Sequence, residues 1–345
     1  MSLTQSDQTG PVRTVVILGA GGYLGSALCR FFYGLPRYNV TALFHGAPDH
    51  RFFDRHLIAD AFTGNWVEQV MSPAPFALIN CAFDFAGVGE ADPAAKYAAF
   101  DRSLAALREC GIGKLINISS MSAFFGCRTD YGREKLFVES LFAKYNGVNV
   151  RPGLIASWRR PGAAMLRLID ITRGASFVPI LQARNSGFYL CDLEALVLGL
   201  FLLLDLRIGK PHTLSFCYRN RLPLDKIVQL IETRYAIARP TIPVPWPAAY
   251  LLLRVKEAFL GKSKIRADSI LDFAYPATSA SGRQAFAGVV ARYRSELETI
   301  ASVERAPPGF YFLEGQQRQG GSRSCWLKDN AGAAVLTALG RLADA

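Results

Sequence analysis

Tyr131 and Lys135 stand four residues apart in the stretch Tyr131-Gly-Arg-Glu-Lys135. On a helix that spacing puts both on one face, so an ammonium can stabilise a phenolate and lower the tyrosine's pKa. A phenol tuned in this way gives or takes a proton near neutrality. Position adds weight to the spacing. The pair opens a helix expected over 129–145, just after a strand expected over 114–119, whose end carries Ser119-Ser120-Met121-Ser122. Ligands of open α/β sheets sit at that carboxyl edge.

A second constellation lies near the start of the chain, where Gly19-Ala-Gly-Gly-Tyr23-Leu24-Gly25 spaces Gly19, Gly22 and Gly25 as G-x-x-G-x-x-G. Backbone can approach a pyrophosphate closely there, and the amides of the following helix attract an anion. The glycines follow a β-branched run at 14–18 and open an apolar-periodic stretch at 26–33, the order a dinucleotide-binding turn requires. A carboxylate about 20 residues further on would mark an unphosphorylated ribose. The end of the second strand instead offers Phe44, His45 and Gly46, and His45 and Arg51 could meet a 2′-phosphate. The reading is NADP or NAD, with NADP favoured. Asp60, after the third strand, is placed to reach an adenine amino group, or to cap a loop.

The elements that must position these groups alternate. Strands are expected at 14–18, 39–44, 56–58 and 76–82, and helices at 66–71 and 93–110. Strands at 114–119 and 148–151 then flank the helix at 129–145. This is an α/β chain: a Rossmann-type doubly wound parallel sheet with a smaller C-terminal substrate lobe. The boundaries read as a dinucleotide-binding domain at 12–155, a substrate lobe at 156–300 interleaved with the last Rossmann elements, and an extension of no assigned role at 301–345. In the lobe, strands are expected at 176–181, 187–190 and 213–216, with helices at 192–205 and 223–235. A final helix is expected at 330–344.

Taken together, Gly19/Gly22/Gly25, the Ser119-Ser120 strand end, Tyr131-x-x-x-Lys135 and Arg151-Pro152-Gly153 resemble, in order, the extended short-chain dehydrogenases/reductases, the NAD-dependent epimerase/dehydratase family. Tyr189-Leu-Cys-Asp192-Leu is similar to that family's later strand-to-helix segment. The resemblance implies that Tyr131 is the catalytic acid/base, that Lys135 holds the nicotinamide ribose and tunes the tyrosine, and that a serine binds the substrate oxygen. Counting back from Gly126 by the family's spacing lands on Met121, so its neighbours compete, and Ser120 is preferred because it ends the strand. The cofactor cleft would be lined by Gly19, Gly22, Tyr23, Leu24 and Gly25, by His45 and Asp60, by Asn80, Cys81 and Ala82, and by Arg151, Pro152 and Gly153.

The implied activity is an NAD(P)-dependent oxidoreductase or epimerase acting on a carbonyl or secondary alcohol, plausibly of a nucleotide-linked sugar. The alternative is a catalytically silent NAD(P)-binding regulatory or scaffold protein. Two departures stand out. Leu154-Ile-Ala-Ser replaces the usual Tyr-Gly-Pro after Arg151-Pro152-Gly153, and no acidic pair follows the catalytic serine, which argues against the dehydratases.

Composition narrows the partners. The chain has 345 residues, 50% hydrophobic and 19% charged, which excludes a disordered or disulfide-framework protein. Its 39 basic and 28 acidic residues leave a net charge of +11, suited to an anionic small-molecule substrate. No nucleic-acid-binding motif accompanies that charge. Seven cysteines without a C-x-x-C pair and four histidines without helical spacing imply no metal. The polar leader does not resemble a secretory signal, so the cytoplasm is the expected compartment. The apolar run 195–204 is too short to span a bilayer and reads as a buried helix. The stretch 243–264 is apolar and cationic, and packing on its own lobe is preferred there to membrane contact. Arg159, Arg160 and Arg266 are candidate diphosphate ligands, and the family suggests a homodimer.

Overall fold

The structure, a computed structural model, describes residues 11–85, 87–89, 92–157, 161–183, 187–205, 212–217, 221–260, 267–275, 311–312 and 325–326. Two compact units emerge, each discontinuous in sequence. The first takes 1–118, 137–150 and 197–213, and the second takes 119–136, 151–196 and 214–345. Arg159, Arg160, Arg266 and the expected helix at 330–344 lie outside the described residues.

The first unit is built around β1 (Arg13–Leu18), α1 (Tyr23–Tyr33), β2 (Tyr38–Phe44), β3 (Arg55–Ile58), α2 (Val67–Val70), β4 (Ala77–Asn80), α3 (Pro93–Lys96), α4 (Ala98–Glu109) and β5 (Lys114–Ile118). Next in sequence are α5 (Asp130–Lys144) and β6 (Val148–Pro152), whose residues are divided between the two units. The second unit continues with β7 (Leu154–Ala156), α6 (Ala163–Gly174), β8 (Val178–Gln182), β9 (Leu190–Asp192), α7 (Leu193–Asp205), which begins there, and β10 (His212–Phe216). It adds α8 (Leu224–Tyr235), β11 (Thr241–Pro245), α9 (Trp246–Leu260), α10 (Ala267–Ala274) and the short pair β12 (Tyr311–Phe312) and β13 (Cys325–Trp326).

The main sheet has seven strands in the order β10-β6-β5-β4-β1-β2-β3. Among the described residues, the pairings that join β1 to β6 are parallel, so the expectation of a doubly wound parallel sheet holds. The central strands carry continuous buried apolar runs, as strands covered by helices on both faces do. Val15 to Leu18 and Ala77 to Ile79 are fully buried, and Trp66, Phe100 and Phe142 fill the helical layer beside them.

Reversing strand order beside β1 leaves a crevice at the strands' carboxyl ends, and the glycine-rich turn occupies it. The apolar run at 195–204 forms α7 with its leucines buried, as its composition predicts.

Three local expectations are corrected. The helix expected over 93–110 is two, broken at Tyr97, whose backbone leaves helical geometry while its fully buried ring packs against Phe62 and Phe137. Ahead of the apolar helix within 243–264 the structure adds a strand, β11, which pairs with β8, and Pro243 and Pro245 fit a sheet of two strands. Strand β7 and helix α6 are further additions to the expected elements. Strand β7 pairs with β9 in parallel, and α6 buries Met165, Ile169 and Thr172, the helical spacing that signals it.

Candidate active site

The glycine turn follows from the chain's need to leave β1 sharply. Gly19 has φ +72°, which glycine adopts without penalty, and a Cβ there would come within 2.8 Å of the Ala82 nitrogen. A Cβ on Gly25 would overlap the Gly19 carbonyl, so α1 packs on the turn only without a side chain. Helix α1 starts at Tyr23 with Gly22 as its N-cap and no side-chain cap bond. A steric cradle that forbids Cβ atoms, ending in uncapped helix amides, fits a dinucleotide pyrophosphate. Leu24 turns into the core.

Support for the turn comes from a residue that the sequence reading passed over. His50 donates from Nε2 to the Ala20 carbonyl at 3.2 Å, while its Nδ1 accepts from the Phe52 amide at 3.3 Å. Its neighbour Asp49 lies with Oδ1 3.8 Å from where a Gly21 Cβ would stand, and its side chain is 61% exposed. A carboxylate therefore does stand beside the turn, supplied by the loop after β2 rather than by the strand end. His45 and Arg51 are both exposed. Asp60 accepts from the Phe62 amide at 2.8 Å, the loop-capping role weighed for it.

At the end of β4, Asn80 is buried and its side chain is committed to structure. Its Nδ2 donates to Asn117 Oδ1 at 3.0 Å, and its Oδ1 accepts from the Ala82 amide at 3.1 Å. Asn117 donates in turn to Asn149 at 2.9 Å, and Asn149 to the Glu139 carbonyl at 3.0 Å. Asparagines in register on β4, β5 and β6 thus form a buried ladder beneath the strand ends. Sequence reasoning missed it because register between distant strands is not written in the chain. Cys81 and Ala82 are half-buried beside this ladder.

In the second unit, the chain beyond β5 enters Ser119-Ser120 and turns into α5. Thr129 caps that helix: its Oγ1 accepts from the Gly132 amide and donates to Asp272 of α10, both at 3.0 Å. A Cβ on Gly132 would overlap the Ser122 carbonyl, so the glycine after Tyr131 lets α5 lie directly on the serine turn. Tyr131 is thereby hydrogen-bonded to Ser120. Ser120 Oγ also accepts from the Ser122 amide at 3.1 Å, closing the turn. Ser119 Oγ is buried without a hydrogen-bond partner among the described residues. Lys135 is buried with Nζ 5.9 Å from the centre of the Tyr131 ring.

The structure therefore brings Ser120, Tyr131 and Lys135 together, and adds Asp272, which no motif announced. One expectation reverses. The tyrosine is not eased toward ionisation: burial and, more weakly, the nearby Asp272 carboxylate push it up to about 12, against the opposing Ser120 hydrogen bond.

Arg151 and Pro152 end β6. Gly153 donates to the Phe216 carbonyl at 2.9 Å, and a Cβ on it would overlap the Tyr189 carbonyl, so its role is close strand packing. Asp192 caps α7 by accepting from the Glu194 and Ala195 amides at 3.0 Å, and burial, with Glu194 beside it, raises its pKa well above the usual carboxylate range. No group of three metal-ligating side chains occurs among the described residues.

Residues 15–150 match the model of the NAD dependent epimerase/dehydratase family. That stretch is a domain of this family. A search among curated proteins finds no match. Solved structures share the fold. MoeE5 in complex with UDP-glucose and NAD is 19% identical at a TM-score of 0.56, with 67% of this chain and 85% of that one covered. UDP-glucuronic acid 4-epimerase from Bacillus cereus is 14% identical at 0.57, covering 76% and 98%. Helicobacter pylori ADP-L-glycero-D-manno-heptose-6-epimerase is 15% identical at 0.56, covering 68% and 84%.

Proposed function

We propose that the chain is an NAD(H)-dependent epimerase or oxidoreductase acting on a secondary alcohol or carbonyl of a nucleotide-linked sugar, with Tyr131 as its acid/base. The observation that carries this reading is the cluster in which the Tyr131 hydroxyl meets Ser120 while Lys135 lies buried beside the ring. The substrate class draws support from the family match and from similar solved structures that hold UDP-glucose or UDP-glucuronic acid with NAD.

The nicotinamide, when bound, supplies the hydride acceptor or donor. Gly19, Gly22 and Gly25 would hold the pyrophosphate through backbone, and Lys135 would hold the nicotinamide ribose. In the oxidative direction Tyr131 would accept the substrate hydroxyl proton. In the reductive direction it returns the proton to the carbonyl oxygen. Ser120, already bonded to the phenol, orients the substrate oxygen between them.

Asp49 favours an unphosphorylated ribose, since a carboxylate accepts ribose hydroxyls and repels a 2′-phosphate. That replaces the preference for NADP drawn from His45 and Arg51 alone.

The test is turnover of UDP-glucose and UDP-glucuronic acid with NAD+ and NADH by the wild-type chain and by Tyr131→Phe. Turnover lost in the variant, with NADH affinity intact, is the expected result. Equal turnover by both proteins would remove Tyr131 from the chemistry.

A further inference from the structure

Helix α9 is amphipathic the wrong way round for a helix packed only on its own protein. Leu251, Leu252, Val255 and Phe259 are 64%, 70%, 47% and 83% exposed, and at about 100° per residue they form one continuous stripe. The opposite face, with Trp246, Tyr250, Leu253 and Glu257, is half-buried where α9 meets α10, β8 and β11. Trp246 stands edge-on to Tyr275 at 5.4 Å, and Glu257 accepts from the Ala267 amide at 2.8 Å. Lys256 and Arg254, both exposed, lie on the two flanks of the stripe, Arg254 keeping a loose pair with Glu257 at 3.8 Å.

The charges select the occupant. From Arg254 to Arg266 the sequence carries five cations and one acid, and that acid, Glu257, is turned toward α10. A second copy docked face to face would set Arg254 and Lys256 against their own equivalents, and the one acid on the helix, Glu257, already lies 3.8 Å from Arg254 of its own copy. Residues 276–345 carry eight Lys/Arg against six Asp/Glu, so they offer no net negative complement either. An anionic lipid surface satisfies both parts: acyl chains take the stripe and headgroup phosphates take the flanking cations. The helix's 15 residues reach about 22 Å, below the roughly 30 Å of a hydrocarbon core, and no helix among the described residues is long and apolar enough to cross a membrane.

We propose that α9 docks the protein, lying flat, on the surface of an anionic phospholipid bilayer. The inference does not depend on the catalytic reading.

The experiment is flotation of the full chain with vesicles of phosphatidylcholine containing one third phosphatidylglycerol, beside vesicles of phosphatidylcholine alone. Expected are partition onto the anionic vesicles, at least tenfold weaker partition onto neutral ones, and a comparable loss for Phe259→Glu and for Lys256→Glu. Both substitutions are at exposed positions, and unchanged thermal melting and NADH affinity would establish that the variants fold. The proposal is overturned by absence of partition, or by partition that Phe259→Glu leaves intact. It is equally overturned if sedimentation reveals a wild-type dimer that Phe259→Glu dissociates while neither protein floats.

Discussion

Tyr131 carries a phenol that is harder to ionise than a free one, and this defines what it does before any partner binds. With its pKa pushed up to about 12, it is fully protonated at neutral pH and stands ready as a proton donor. To act as a base it needs positive charge nearby, which Lys135 supplies within the same turn of helix. Removing the hydroxyl should therefore abolish chemistry and spare binding: Tyr131→Phe is expected to lower kcat by about 10²- to 10⁴-fold, the range of general acid–base catalysis, with the NADH Kd unchanged by fluorescence titration. Asp49 makes a second prediction at this scale. Its exposed carboxylate beside Gly21 opposes a 2′-phosphate, so Asp49→Ala should raise kcat/KM for NADPH relative to NADH by roughly tenfold, one charge contact's worth. A ratio that stays fixed would assign cofactor choice elsewhere.

Between elements, a hydrogen bond from Thr129 to Asp272 joins α10 to the cap of α5, two residues before Tyr131. Asp272 is thus a positioning residue with an electrostatic consequence, because its negative charge disfavours the phenolate. Asp272→Asn keeps an oxygen for Thr129 and removes the charge, so the Tyr131 pKa should fall. Oxidation, which needs the phenolate, rises with pH until the phenol is ionised, and its rising limb should move to lower pH in the variant. A merely structural Asp272 would change the rate without moving that limb.

The asparagine ladder ties β4, β5 and β6 in the same manner. Asn117→Ala would orphan a donor on Asn80 and an acceptor on Asn149, both buried, at about 1–3 kcal/mol each, and urea denaturation should register the loss. What the sequence made legible divides along these lines. Gly19, Gly22, Gly25, Tyr131 and Lys135 could be found because spacing within one turn or one helix turn is local. The ladder, Asp49 and Asp272 could not, since each acts across a gap in sequence that only folding closes. Tyr97 misled for a related reason: its helical periodicity runs unbroken, and only the packing of its ring against Phe62 and Phe137 breaks the helix.

Across the whole molecule, the net charge of +11 is a field as well as a composition. Part of it is spent on contacts within the fold: Arg108 donates to the Tyr145 carbonyl at 2.9 Å, and Lys144 reaches Asp101 at 2.8 Å. The surplus remains for solvent, and any dinucleotide approaching the glycine turn brings a diphosphate. Attraction of that kind accelerates encounter more than it holds the complex, because it acts over distances that salt screens. The NADH association rate, followed by stopped-flow fluorescence, should therefore fall several-fold as ionic strength rises from about 0.01 M to 0.5 M, over which the screening length contracts from about 30 Å to below 8 Å. The dissociation rate should change little, since the amides of the turn hold the pyrophosphate at contact distance, where screening ions do not intervene. An association rate indifferent to salt would mean that the excess charge is arranged away from the turn, and the cationic flanks of α9 would then account for a larger share of its use.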